Sequence, residues 1–173
     1  MVHPCCRANA FGAKETLQEQ CNWVTHTHEV LTRLNSLLAT LTDAETGERG
    51  YIITGDEHYL EPYEQALSRL AKQLQELKDL TSDNPQQQLN IKEMEPVIKE
   101  RLDHLKQGID ERRNNGIEAA RTTVLSGVGK AAMDRVRVAT ARMMDVETNL
   151  LAKRSVKSSR VPRETSASIR LKR

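Results

Sequence analysis

Apolar residues recur at alternating steps of three and four along the early part of the chain. The ladder consists of Val24, Thr27, Leu31, Leu34, Leu38 and Leu41, with Thr27 as its polar member. This spacing is typical of the a and d positions that form the seam of a left-handed helical bundle. It predicts a long helix with one buried face.

A second ladder with the same steps follows after a short interruption. Thr54 and Glu57 fit a capping box at its start, in which the threonine oxygen accepts a backbone N–H. Pro62 falls early in the segment, where a missing N–H costs least. The spacing therefore predicts a second helix, with its buried face formed by Leu60, Tyr63, Leu67, Leu70, Leu74 and Leu77.

A third helix is predicted to start at Pro85. Asn84 suits an N-cap, Pro85 suits the first helical position, and Gln87 is the third. The pattern ends at Gly116, which supplies a left-handed cap. Its ladder is Ile91, Met94, Ile98, Leu102, Leu105 and Ile109.

The last helical segment is less regular, because Gly127 and Gly129 interrupt it. Each glycine costs up to about 1 kcal/mol inside a helix. Four amphipathic segments favour an all-α fold, an up-down four-helix bundle with long helices whose fourth helix is interrupted near Gly127. The fourth ladder comprises Ile117, Ala120 and Val124 before the glycines, then Met133, Val136, Met143, Val146, Leu150 and Leu151.

Periodicity and charge divide the chain into three parts. Residues 1–13 lack periodicity and are predicted to be a disordered leader, residues 14–154 form the bundle, and residues 155–173 form a disordered basic tail. Residues 153–173 hold eight Lys or Arg and one acid, Glu164, whereas the rest of the chain is mildly acidic. Because the tail has neither an aromatic residue nor a nucleic-acid-binding motif, no nucleic-acid partner is expected.

The sequence lacks the motifs that several classes of enzyme and metalloprotein require. No phosphate-binding loop, nucleophile elbow or H-E-x-x-H pattern occurs, and no Glu stands three residues before a histidine, as a di-iron bundle requires. Cys5, Cys6 and Cys21 form no disulfide framework, and His3 with Cys5 and Cys6 lacks a fourth metal ligand. We therefore expect no enzyme activity, no metal and no cofactor.

No apolar run exceeds three residues, whereas a membrane helix needs about twenty. The N-terminus also lacks the apolar region of a signal peptide. As written, the chain is therefore predicted to have no export signal or membrane helix and to be soluble.

The densest group of charged residues and glycines lies between Asp43 and Asp56, where the first two ladders are expected to join. Glu45 and Arg49 are four residues apart and can pair on one helix face. Two interpretations stay open for this corner. It is either a polar structural latch, which common helix-end ion pairs favour, or a ligand or interface patch near Arg49.

The same stretch carries a family resemblance. The segment from Val24 to Arg154 resembles the third class of CHASE domain, the sensory modules associated with cyclases and histidine kinases. The matching motifs are Asp43-Ala-Glu-Thr-Gly-x-Arg-Gly-Tyr51, Thr54-Gly-Asp56, Tyr59-Leu-Glu-Pro-Tyr63, Thr81-x-Asp-Asn-Pro-x-Gln-Gln88, Arg112-Arg113, Gly127-x-Gly-Lys130, Met133-Asp134, Arg137 and Leu150-Leu151.

The resemblance implies a helical sensory domain on the periplasmic, extracytoplasmic face of the inner membrane, between two membrane helices of a bacterial receptor. The output of such receptors is a histidine kinase, a nucleotide cyclase, a diguanylate cyclase or a chemotaxis module, and a histidine kinase is favoured here. Contact with the membrane would be only through the flanking helices. Those helices and the output domain are missing here, which suggests a truncated or frame-shifted fragment. We expect an unidentified small ligand or partner protein and a homodimer.

The alternative is a soluble helical dimerisation or scaffold module without a ligand, since strict a/d seams serve it equally well. In either case the corner is expected to matter. The candidate ligand-binding or latch residues are Asp43, Glu45, Arg49, Tyr51, Asp56, Tyr59 and Tyr63.

Overall fold

The computed structural model describes residues 4–160, with side chains from residue 18 to residue 155. The described chain forms five α-helices and one short 3-10 turn and contains no strand. The helices are α1 (Pro4–Thr54), α2 (Glu61–Leu80), α3 (Pro85–Asn115), α4 (Ile117–Leu125) and α5 (Val128–Arg160), and the 3-10 turn, Glu57–Leu60, precedes α2.

The chain divides into two compact units. One comprises residues 30–144, and the other combines the stretches up to Glu29 and from Asp145. In the first unit, side chains of α1, α2, α3 and α5 share one apolar core, which confirms the predicted all-α four-helix bundle. The core members are Val30, Leu34, Leu37, Leu41, Ala44, Ala66, Leu70, Leu77, Ile91, Met94, Ile98, Leu105, Met133, Val136 and Met143.

The second unit brings the early part of α1 beside the end of α5. The Arg154 guanidinium lies 3.4 Å from the centroid of the Trp23 ring, a cation–π contact between the two helices. His26 meets the same ring edge-on, with 6.0 Å between the centroids. Thr27 and Glu147 are buried in this unit.

Several predicted boundaries are confirmed. The Asn84 side chain accepts hydrogen bonds from the backbone N–H groups of Gln86 and Gln87, at 3.2 and 3.3 Å. Pro85 begins α3, and α3 ends at Asn115. Gly116 has a φ of 87° and Gly127 a φ of 73°, backbone conformations that favour glycine and separate α3, α4 and α5.

The first helix is longer than predicted at both ends. It begins at Pro4, so residues 4–13 are helical rather than a loose leader. Extending an existing helix needs no new nucleus, and proline suits a first turn. Residues 1–3 lie outside the described part.

At the other end, α1 runs through to Thr54, so the stretch from Asp43 onwards is helical and the corner begins only at Gly55. Only the threonine half of the predicted capping box is confirmed: Thr54 Oγ1 accepts the Asp56 N–H at 3.1 Å, whereas Glu57 binds Arg113 instead of the Thr54 backbone. The Thr54 hydroxyl donates to the Gly50 carbonyl, and Asp56 caps the 3-10 turn by accepting the His58 N–H.

The predicted buried face of α1 is confirmed at Thr27, Leu34 and Leu41, but the buried positions between them are one residue earlier than predicted. Val30 and Leu37 are fully buried, whereas Leu38 only packs beside the core and Val24 is 41% exposed. Adjacent apolar residues on α1 could each have been the buried one, and packing against the other helices decides between them.

The last helix also continues to Arg160, so residues 155–160 are helical rather than tail. Residues 161–173 lie outside the described part.

Candidate functional site

Polar residues occupy seam positions of the bundle near the α1–α2 corner. On α1 the buried residues continue at steps of three and four, from Leu41 through Ala44 to Glu48. On α3 the same steps lead from Ile98 through Arg101 and Leu105 to Gly108. A carboxyl group and a guanidinium therefore point into the core, where charged residues are rare unless they are paired.

One ion-pair chain joins α1 to α3 here. The Glu45 carboxylate lies 2.5 Å from the Arg49 guanidinium and 3.2 Å from that of Arg101. The Arg101 side chain is 4% exposed, whereas that of Arg49 is 63% exposed. The buried cation of the latch is thus Arg101. Arg49, one of the residues predicted for the latch or the ligand patch, is the solvent-facing partner.

Glu48 is 3% exposed and forms no ion pair with any described residue. Burial raises its pKa to about 7 from the ordinary 4.5; the nearby Arg101 charge opposes that rise and the Glu45 charge adds to it. A carboxyl group with such a pKa changes its charge near neutral pH. We name Glu45, Glu48, Arg101 and His104 the polar cluster.

Two glycines allow the helices to approach around the polar cluster. A Cβ atom on Gly108 of α3 would collide with a Glu48 carboxyl oxygen. On α5, a Cβ atom on Gly129 would lie 2.6 Å from an Arg101 nitrogen and 2.7 Å from His104 Nδ1. Neither position has room for a Cβ atom unless the neighbouring side chains move, so α1 approaches α3 closely at Gly108 and α5 approaches the cluster closely at Gly129.

His104 completes the cluster on α3. Its Nε2 lies 3.5 Å from the Ser126 hydroxyl, and its buried Nδ1 has no hydrogen-bond partner. Burial lowers its pKa, and the Arg101 charge lowers it further. Arg101 Nε is likewise buried without a partner. Such groups are uncommon in a folded core and make the cluster electrostatically under-satisfied.

The neighbouring corner is held by two consecutive arginines of α3. Arg112 Nε donates to the Ile52 carbonyl at 2.8 Å and so satisfies one of the last free carbonyls of α1. Arg113 binds both carboxylate oxygens of Glu57, at 3.0 and 2.8 Å, and lies 5.9 Å from the centroid of the buried Tyr51 ring. Both arginines fasten the end of α1 to α3.

The predicted site residues do not form one group. Asp43 is exposed and lines a groove between α1 and α2, together with Glu61 and Arg69. Tyr59 is half-exposed, with its ring against Gly50. Tyr63 is half-buried and packs on the main core and on a second apolar cluster formed by Tyr51, Leu60 and Ile109, and burial raises its pKa.

The remaining predicted residues lie near the α3 contacts. Glu45 belongs to the polar cluster, Tyr51 is buried beneath Arg113, and Asp56 caps the 3-10 turn. The sequence analysis missed Glu48, Arg101 and His104 as site residues. Continuing each seam by steps of three and four would have indicated Glu48 and Arg101; no comparable signal marks His104.

The chemistry available at this site is proton binding and ion pairing. Within the described residues no group of three or more His, Cys, Asp or Glu is arranged to hold a metal ion. Among residues 4–160, no helix carries an apolar stretch long enough to serve as a membrane span.

Comparison with known proteins places this helical architecture in a class. This is the class of sensory input domains. The model of the CHASE3 domain family matches residues 20–157, which is most of the chain. The chain belongs to the CHASE3 family and is an extracytoplasmic sensory input domain of a receptor. The family resemblance drawn from the motifs is confirmed.

A solved structure has the same fold. The sensor domain of the Rhodopseudomonas palustris histidine kinase HK9 is similar, with a TM-score of 0.67 and 24% sequence identity. The similarity covers 73% of this chain and 98% of that sensor domain. A comparison with curated protein sequences gave no significant match.

Proposed function

We propose that this domain is the signal-input part of a histidine kinase receptor, on the periplasmic face of the inner membrane. The main support for this proposal is the similarity to the HK9 sensor domain, which this chain covers almost from end to end. In this proposal the domain has no catalytic role. Phosphoryl transfer belongs to an output region of the parent receptor.

The signal would act as a two-state displacement of α1 against α3 and α5. Such a displacement requires a small ligand or partner protein with different affinities for the two states. The region from Asp43 to Tyr63 on α1 and α2, with its α3 partners Arg101, Arg112 and Arg113, is the candidate place. Its polar contacts between helices can be exchanged, whereas the main apolar core of the bundle is tightly packed.

The decisive test of the parent receptor is the DNA on both sides of the reading frame, translated in all three forward frames. We expect about twenty apolar residues upstream, and again downstream before a histidine kinase region. A cyclase or chemotaxis region downstream would overturn the kinase assignment. Unrelated genes on both sides would favour the scaffold module instead.

Ligand sensing is tested on the domain itself. A ligand that binds the folded state raises the unfolding temperature with ligand concentration, whereas a scaffold depends only on protein concentration. We expect a candidate from the periplasmic small-molecule pool to raise the unfolding temperature of the wild type but less so that of Arg113→Ala. Arg121→Ala, on exposed α4, is the matched control.

The proposal includes a homodimer. Large apolar side chains remain exposed on the described surface, including Leu125 at 72% and Val138 at 61%. Sedimentation equilibrium is expected to give twice the chain mass at micromolar concentration. A monomer at all concentrations would contradict this component alone.

A further inference from the structure

Glu48 of α1 is near enough to Arg101 of α3 for their charges to interact, and the two side chains form no ion pair with each other. The Glu48 carboxyl lies against Gly108 and near the Ile52 side chain, an apolar setting that suits a neutral acid. Arg101 gives a terminal nitrogen to Glu45, at 3.2 Å, while its Nε has no acceptor. The Glu48 carboxyl on α1 therefore has no ion-pair partner, and the Arg101 Nε–H on α3 has no hydrogen-bond acceptor.

We propose that Glu48 and Arg101 form a proton-operated switch between α1 and α3, in which loss of the Glu48 proton draws Arg101 Nε onto the carboxylate. The proton passes to solvent. A buried carboxylate without a partner is costly, and a guanidinium can serve two carboxylates through its fork of donors. Arg101 can therefore bind Glu48 while it keeps Glu45.

The switch reaches α5 through Gly129. The glycine lies close to Arg101 and His104 at the same time, so a movement of the guanidinium changes the space that α5 occupies. Because protein interiors are close-packed, neighbouring side chains must move when the guanidinium moves. Protonation at one position on α1 thus becomes a change in the contacts between three helices.

Other charges around Glu48 set the pH at which the switch operates. Glu45 and Arg49 act from α1 and Arg101 acts from α3, with opposite signs for the acid and the arginines. From α2, Tyr63 lies close enough to Glu48 to interact electrostatically, and Lys106 of α3 is near Tyr63. Burial, together with the charges of Arg101, Glu45 and Arg49, brings the Glu48 pKa to about 7.

This inference rests on the proposed function for its biological meaning, since it makes the hydrogen ion a signal that the sensory domain reads. Its test does not depend on the output domain. A failed switch would leave the histidine kinase assignment to the flanking DNA, and a cyclase downstream would leave the switch intact.

The experiment is an NMR titration of the full chain from about pH 5 to 9. Glutamate carboxyl carbons, the Arg101 Nε–H and the backbone amides of Gly108 and Gly129 are followed together. Glu48→Gln imitates the protonated acid at nearly the same size and should fold. Glu64→Gln, which removes an exposed acid on α2, is the matched control.

We expect the Glu48 carboxyl to titrate near pH 7, with the Arg101 Nε–H and both glycine amides moving at the same midpoint. These movements should vanish in Glu48→Gln and persist in Glu64→Gln. Arg101→Lys keeps the charge but lacks Nε, so it should shift the midpoint upwards. The switch is overturned if Glu48 titrates below about pH 5, or if Arg101 Nε–H and Gly129 do not follow it.

Discussion

In the unit of residues 30–144, the buried residues between the helices are apolar in one region and charged in another. Around Leu34, Leu37 and Leu41 they are apolar, and these three side chains are fully buried. Toward the α1–α2 corner, the same spacing presents Glu48 and Arg101 instead. The apolar region gains stability with each buried side chain, at about 2 kcal/mol for a leucine.

The polar region gains little stability from its charges, because desolvation offsets most of the attraction between them. It is nevertheless buried to a similar degree. The comparison teaches that burial in this fold serves two ends: the apolar region holds the bundle together, and the polar region makes the packing of α1, α3 and α5 depend on charge.

The largest expected effect lies in the apolar region. Leu37→Ala leaves a cavity at a fully buried position and should lower the free energy of unfolding by about 3–5 kcal/mol. Urea unfolding followed by circular dichroism measures it. Leu67→Ala, at a position 46% exposed on α2, is the control and should cost under about 1 kcal/mol. Equal losses would mean that Leu37 is not a core residue.

Removing the buried cation comes next. Arg101→Ala leaves Glu45 without its buried partner and should cost about 3 kcal/mol. Arg49→Ala removes the exposed partner of the same carboxylate and should cost at most about 0.5 kcal/mol. The two variants are compared by urea unfolding at pH 7. A larger loss for Arg49→Ala would reverse the assignment of the latch.

The polar region should also make stability depend on pH. Glu48 has a raised pKa of about 7, so between pH 4.5 and 7 the folded chain retains a proton that the unfolded chain releases. The free energy of unfolding therefore falls as pH rises through this window, by at most about 3 kcal/mol.

His104 acts with the opposite sign. Its pKa is lowered, so the folded chain binds its proton less well and stability from this group falls with decreasing pH below about 6.5. Urea unfolding of the wild type and Glu48→Gln at pH 5 and 7.5 separates the two. The variant should lose the fall toward pH 7.5; an identical fall in both proteins would assign it elsewhere.

The smallest expected effect concerns Gly108. Alanine normally stabilises a helix relative to glycine by up to about 1 kcal/mol. Here the new methyl group would collide with Glu48, so Gly108→Ala should instead cost about 1–2 kcal/mol. In the background of Glu48→Ala the collision is absent and the cost should disappear. A double-mutant cycle without coupling would show that the two residues are not in contact.

Much of the fold could be predicted because its signals are local. Asn84 with Pro85, and the glycines at 116 and 127, marked helix ends without any knowledge of neighbours. The phase of α1 could not be fixed in this way. Val30 and Leu31, like Leu37 and Leu38, are adjacent apolar pairs, and only packing from two sides decides which member is buried.

The candidate site was harder to predict because its residues come from three helices. A pattern search that collects apolar residues passes over Glu48 and Arg101, although they keep the seam spacing. Arg49 attracted notice through its glycine-rich motif, yet it is next to Glu48 in sequence and so about 100° around the helix, facing solvent. Which arginine is buried depends on α3 and α5, far away in the chain.

The bond between Gln87 and Met143 carries a consequence for how the chain acquires its structure during synthesis. Gln87 Nε2 donates to the Met143 carbonyl at 3.0 Å, across 56 residues of sequence. Until α5 has left the ribosome, the core made by α1, α2 and α3 lacks Met133, Val136 and Met143. Until α5 is added, the chain must therefore keep an incomplete apolar face, and its last long helix completes the core.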